Sequence, residues 1–201
     1  NETRGIGCDL EIIECRGWRR SMGWSDTGLP WVAPSPNLPT PVSCLVYPGM
    51  VLLEGTNLSE GRGTTKPLEY FGAPYLNIER LLDLLDQEHL DGVMIRPCHF
   101  EPTFQKYSGT MCAGGQLHVT DPAIFQPVRT AITILRAARE LAPREFSWSK
   151  PPYEYEENLM PIDLIWGHNG LRHRIDDGAT VDEVLEGVQE DLDTFKEDIR
   201  D

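Results

Sequence analysis

Positive charge is scarce in this chain: 18 lysines and arginines stand against 32 aspartates and glutamates in 201 residues, for a formal net charge of −14. A chain so acidic repels phosphate, which argues against nucleic acid and anionic membrane surfaces as partners. No apolar run approaches the roughly 18–20 residues that a membrane span requires. No signal-peptide pattern opens the sequence, so its compartment is not legible from that end. Neither GxxxxGK[ST] nor GxGxxG occurs, and phosphate or nucleotide binding has no motif to rest on. The five cysteines (Cys8, Cys15, Cys44, Cys98 and Cys112) are odd in number and contain no CxxC pair. Arg96-Pro-Cys-His99 is the nearest approach to a ligand cluster, and its spacing is wrong for zinc. The expectation is therefore no metal, no cofactor, and buried or half-buried thiols in place of a disulfide scaffold.

With 40% hydrophobic residues, the chain has enough apolar surface for one domain with a real core. Its densest chemistry lies in residues 54–65, Glu-Gly-Thr-Asn-Leu-Ser-Glu-Gly-Arg-Gly-Thr-Thr, which follow the apolar run at 50–53. Gly55, Gly61 and Gly63 loosen the backbone and allow close approach of a ligand. Successive N–H groups in such a turn can form an anion-binding nest. Arg62 offers a planar fork for a carboxylate or phosphate, and Lys66 adds further positive charge. The plainer alternative is a capped surface turn whose charges are solvated.

Periodicity alternates short strands with helices. Residues 10–15 read as a strand bounded by glycines, 28–47 as a proline-broken loop, and 50–54 as a buried strand ending at the glycine-rich loop. Asn77 is placed to cap a helix running to about residue 90, with Ile78, Leu81, Leu82 and Leu85 inward, and Asp91-Gly92 to stop it. Residues 93–96 and 116–120 read as strands, and 125–141 as a helix carrying Val128, Ile132, Leu135 and Ala138. Thr180 and Glu183 form a capping box for a last helix. Its stripe of Val181, Val184, Leu185, Val188, Leu192, Phe195 and Ile199 reads as core packing. The class is α/β, with α+β as the alternative: a small mixed sheet flanked by helices.

Several motifs, in order, resemble the exo-β-N-acetylmuramidase family: Trp31-Val-Ala-Pro-Ser-Pro-Asn-Leu-Pro-Thr40, Val46-Tyr-Pro-Gly49, the loop at 54–65, and Phe71-Gly-Ala-Pro74. Phe100-Glu-Pro-Thr-Phe-Gln-Lys-Tyr107, Gly114-Gly-Gln-Leu-His-Val-Thr-Asp121, Phe125-Gln-Pro-Val-Arg-Thr130 and Pro151-Pro-Tyr-Glu-Tyr-Glu156 continue it over nearly the whole chain. One departure is Ala33, where the family more often has proline. Members are about twice this long, with a Rossmann-like N-terminal domain, so the resemblance implies that residues 1–201 form a single C-terminal domain. On that reading 1–27 are a linking segment and first strand, 28–65 the proline-rich loop, strand and ligand loop, and 66–201 the α/β body.

The resemblance further implies a glycoside hydrolase that removes terminal N-acetylmuramic acid from peptidoglycan fragments in bacterial cell-wall recycling. A non-catalytic carbohydrate-binding domain is the alternative. Glycoside hydrolysis usually needs two carboxyl groups; the candidates here are Glu54 and Glu60, although Glu54 serves equally as a structural acceptor. The principal acid is expected in the Rossmann-like domain, with the site in the cleft between the two domains. Arg62 is the first choice for the lactyl carboxylate, with Asn57, Ser59 and Thr64 as neutral donors, and Asn37, Thr56 and Gly63 alongside. Lys106 meets an anion or is solvated; His118 is a core residue or a proton shuttle. Trp31 faces the site or anchors its loop. His168, Arg172, His173 and Arg174 read as surface. The acidic stretch 153–157 reads as solvated, with tyrosines able to close over a sugar. Partners are expected to be a muramic acid glycoside and the N-terminal domain, in an extracytoplasmic setting, secreted or periplasmic, with the cytoplasm as the alternative.

Overall fold

A computed structural model describes residues 4–198 and divides the chain into two compact units, 1–32 and 33–201. In the first unit a single 3-10 turn, Trp24–Thr27, is capped by Asp26, whose carboxylate accepts from Gly23 N at 2.8 Å. Trp24 meets Trp31 edge to face at 5.2 Å, so Trp31 anchors its loop within this unit. Residues 10–15 belong to no strand, contrary to the sequence reading. A strand needs a neighbour to satisfy its backbone, and none pairs with it among the described residues.

The second unit begins with an irregular stretch and then a helix, α1 (Pro41–Met50), which starts inside the region read as a loop. Thr40 caps it reciprocally with Ser43, and Pro41 occupies the first turn, where its missing N–H costs nothing. Val51–Gly55 then tightens into a 3-10 turn rather than the expected strand. Leu52 and Leu53 are buried as foreseen, but a short apolar run does not distinguish a buried strand from a buried helical turn.

Three strands follow, β1 (Tyr70–Ala73), β2 (Val93–Phe100) and β3 (Cys112–Val119), in the order β1-β3-β2 and antiparallel throughout. The small sheet among helices therefore takes the α+β form, with no parallel pair among the described residues. β1 was not foreseen; it is four residues long and lacks alternation. Pro97 lies in β2, an edge strand, where a missing donor is tolerated. Between β1 and β2 runs α2 (Ile78–Leu85), capped by Asn77 Oδ1 accepting from Arg80 N at 3.0 Å. It ends before residue 90 in turns at 86–88.

The long helix α3 (Pro127–Leu141) is the centre of the core and packs on α1 and α2. Ile132, Leu135 and Ala138 on its inner face meet Leu81, Leu117 and Leu53 in one cluster. Two short helices the sequence did not reveal, α4 (Pro161–Trp166) and α5 (Gly170–Asp176), bury Ile162, Leu171 and Ile175. The stretch read as surface thus has a buried side, and its Arg172 grips Asp163 at 3.1 and 2.8 Å.

The capping box at Thr180 and Glu183 opens α6 (Val181–Glu186), but the helix stops at Gly187 and resumes as α7 (Gln189–Asp198). Arg174 explains the break: its guanidinium donates to the Glu183 carbonyl and occupies the space beside Gly187. The expected core stripe therefore divides. Val181 and Val184 are buried, while Leu192 and Phe195 are 46% and 60% exposed; Ile199 lies outside the described residues. Cys112 is buried and Cys44 and Cys98 half-buried, whereas Cys8 and Cys15 are exposed, unlike the sequence reading. Among the described residues, no helix is long and apolar enough to cross a membrane.

Candidate functional site

The loop at 54–65 owes its shape to ties with its own chain. Ser59 and Gly72 exchange backbone hydrogen bonds at 2.8 and 3.0 Å, which fasten the loop to β1. Asn57 N donates to Ser147 O and Ser149 N to Gly55 O, both at 2.9 Å, which fasten its start to the segment after α3. Gly61 and Gly63 adopt φ of 75° and 83°, the left-handed region that favours glycine. A Cβ at Gly63 would stand 2.5 Å from the Phe104 carbonyl oxygen. The close approach these glycines allow is to neighbouring backbone. Gly55 is needed for another reason, because a Cβ there would strike Ile162 at the start of α4.

Beside this loop lies an open pocket of about 460 Å³, lined by Glu54, Glu60, Arg62, Lys106, Tyr153 and neighbouring side chains. Arg62 is the bridge between its carboxylates. Nη2 pairs with Glu54 Oε1, and Nε lies 3.3 Å from Glu60 Oε1. The second Glu54 oxygen accepts from the Tyr153 hydroxyl at 2.8 Å. Glu60, 3% exposed, is closed off by Lys106 Nζ at 2.9 Å from Oε2. The same Nζ donates to the carbonyls of Leu53 and Leu58, each at 2.9 Å, and so clasps the turn that presents Glu54.

Charge in this cluster cancels: two carboxylates face two cations. Burial pushes the Lys106 ammonium below the usual lysine range and outweighs the opposing pull of Glu60. Burial also works against the Arg62 cation, but the hydrogen bond and charge of Glu54 prevail and hold it above the ordinary arginine value. Tyr153 is raised by burial and by donating to Glu54. Exposed Lys150 and Glu154 also line the pocket. Four non-glycine residues have positive φ among the described residues, and two of them, Gln105 and Glu154, line this pocket. Such strain gathers where ligands are held.

Of the residues singled out from sequence, the structure brings Glu54, Glu60, Arg62 and Lys106 together. The others stand apart from the pocket lining. Asn57 is tied on both sides of its amide, donating to Glu145 O at 2.7 Å and accepting from Tyr75 and Ser147. Thr56 is buried, donates to Leu53 O and accepts from Leu58 N. Ser59 accepts from Gly61 N, and Thr64 donates to Gly61 O. Gly63 packs on residues 103–104. Asn37 sits in a turn with Ser35. Lys66 pairs with buried Glu69 at 3.1 Å. His118 is half-buried in β3, and its Nε2 has no hydrogen-bond partner.

The stretch 153–157 reads from sequence as solvated, with tyrosines able to close over a sugar; the structure puts Tyr153 in the pocket lining and leaves Tyr155, two positions on, fully exposed. Alternating tyrosines and glutamates carried no signal to separate the two. Ser149, which donates to the carbonyls of Glu54 and Thr56, was also missed. Among the described residues no group of three His, Cys, Asp or Glu side chains converges on a metal position.

Comparisons with known proteins bear on this geometry. Residues 45–201 match the family described as exo-β-N-acetylmuramidase NamZ, C-terminal, and residues 1–42 match its N-terminal counterpart. The chain is 38% identical over 195 residues to the peptidoglycan β-N-acetylmuramidase NamZ of Bacillus subtilis (strain 168), covering 97% of this chain and 45% of that protein. The chain therefore spans less than half the length of that relative. A crystal structure of a DUF1343 family protein from Bacteroides fragilis NCTC 9343 superposes with a TM-score of 0.78 at 26% identity, over 90% of this chain and 47% of the other. A second DUF1343 protein of that organism shares the fold at a TM-score of 0.58 and 23% identity, over 82% of this chain and 41% of its own. With the C-terminal family matched over residues 45–201, most of its length, this chain belongs to the exo-β-N-acetylmuramidase NamZ family.

Proposed function

We propose that this chain forms the substrate-binding side of a glycoside hydrolase that removes terminal N-acetylmuramic acid from peptidoglycan fragments during cell-wall recycling outside the cytoplasm. The site is an interdomain cleft whose other wall, with the principal acid, comes from the N-terminal half of the longer family chain. Family membership supports the reaction class, and the pocket supports the role of this half. Its volume suits a single sugar. Glu54 accepts on both oxygens, from Arg62 and Tyr153, and in this reading its charge stabilises the positive charge developing at the anomeric centre. Glu60 is the anchor that holds Arg62 and Lys106.

The observation that carries the reading is Arg62 itself. Two carboxylates fix its Nε and Nη2, and Nη1 makes no hydrogen bond among the described residues. A preset donor of this kind suits the lactyl carboxylate that distinguishes N-acetylmuramic acid from N-acetylglucosamine.

Nitrophenol release from 4-nitrophenyl β-N-acetylmuramic acid and its N-acetylglucosamine analogue, with calorimetry of the free sugars, tests it. The expected result is no turnover by this chain alone, together with binding of the muramic sugar at least about tenfold tighter. Arg62→Ala should abolish that preference, and Arg62→Lys should retain the fold and part of the preference. Equal affinity for the two sugars, or a preference that survives Arg62→Ala, would remove the basis of the proposal. The alternative, a non-catalytic carbohydrate-binding domain, draws support from the engagement of both pocket carboxylates by cations. Glu54→Gln, in the chain extended by its N-terminal half, separates the two: the hydrolase loses turnover while the binding module has none to lose.

A further inference from the structure

The first unit exposes apolar side chains that a finished domain would cover. Leu10, Ile12 and Ile13 are 60%, 75% and 89% exposed, and Trp18 is 55% exposed. Burial of such side chains is the main favourable term in folding, and contiguous exposed groups of this kind mark a contact surface. The stretch is also patterned for a strand. Leu10 and Ile12 fall on one face with Glu14, and Ile13 and Cys15 on the other with Glu11, so each face carries two apolar side chains and one carboxylate. Apolar residues on both faces are the mark of a strand inside a sheet that is covered on both sides. Glycines with left-handed φ bracket the run, Gly5 and Gly7 before it and Gly17 after it, and each has open space around its Cα. The chain turns at both ends, and between them it forms no ladder.

What covers it is indicated by the family match. Residues 1–42 belong with the N-terminal family, and the chain covers only 45% of its Bacillus subtilis relative. We infer that residues 10–15 are a donated strand: they add to the sheet of the domain built by the upstream half of the longer family chain, with Ile12 and Ile13 buried on its two faces. Residues read from sequence as the first strand of a single C-terminal domain are thereby part of the neighbouring domain's core. The inference concerns assembly and stands whether or not the pocket binds muramic acid.

Hydrogen exchange followed by mass spectrometry tests it on three proteins: this chain, this chain preceded by the upstream half of the Bacillus subtilis relative, and that relative intact. In this chain, amides 10–15 should exchange within about tenfold of unstructured-peptide rates; in the two longer proteins the same or aligned segment should slow at least about 100-fold. Ile12→Asp combined with Ile13→Asp should abolish that protection and lower the melting temperature of the extended chain. The same pair should leave the melting temperature of this chain unchanged. Peptide-like exchange of the aligned segment in the intact relative would overturn the inference, even if the extended chain failed to fold. So would a melting loss in this chain equal to that in the extended one, because the residues would then already be packed.

Discussion

Lys106 shows how much a single cation can fix at this site. Its ammonium reaches Glu60, Leu53 O and Leu58 O, each at 2.9 Å, so one group satisfies a buried carboxylate and two carbonyls of the turn bearing Glu54. Lys106→Met preserves much of the stem but leaves all three acceptors short of a donor. The expected cost is about 3 kcal/mol, because removing one partner of a buried pair strands the other. Urea denaturation measures it, and a loss under about 1 kcal/mol would mean that the ammonium does not hold the turn. Sequence reading placed Lys106 between anion binding and solvation and did not foresee this positioning role. Glu54, Glu60 and Arg62 were legible because they crowd into nine consecutive residues. The bond of Tyr153 to Glu54 was not, because the two lie 99 positions apart and nothing near Tyr153 in the chain separates it from Tyr155.

Among the helices, α1 and α3 meet in a close junction. A Cβ on Gly49 would lie 1.9 Å from the Pro127 carbonyl oxygen, a backbone atom that cannot turn aside. Gly49→Ala should therefore destabilise by about 3 kcal/mol or prevent folding, although alanine is the better helix former. Thermal melting of both variants beside the parent chain measures it, with Gly23→Ala, where the nearest atoms are at ordinary contact distance, as the control expected to be close to neutral. The elements legible from sequence were those with local signals: the Asn77 and Thr180 caps, the apolar spacing of α3, and the β-branched runs within β2 and β3. The failures were of two kinds. The run at 50–54 was too short for its period to be decisive, and Pro41 inside a proline-rich stretch began a helix where breakage was expected. The stripe across α6 and α7 failed differently: it is continuous in sequence, but Arg174, from another helix, interrupts it.

For the whole molecule, the net charge of −14 would, on the proposed function, set the terms of encounter with an anionic sugar. The pocket's own cluster is neutral and cannot offset that field, so approach is opposed at long range. The association rate of N-acetylmuramic acid with this chain should therefore rise, by about two- to threefold between 20 and 500 mM salt, as the repulsion is screened. Stopped-flow measurement with uncharged N-acetylglucosamine should show a flat profile; a rate that falls with salt would mean local attraction dominates. The wiring of the site also has a kinetic consequence. Glu60 meets Lys106 across 46 positions and Glu54 meets Tyr153 across 99, so neither contact can precede the closure of a long loop. Closing such loops spends chain entropy before any bond repays it, which places these contacts late among folding events. On the proposed function, sugar recognition should then appear in a refolding experiment only as the last tertiary signal arrives, making the pocket a clock for the completion of the fold.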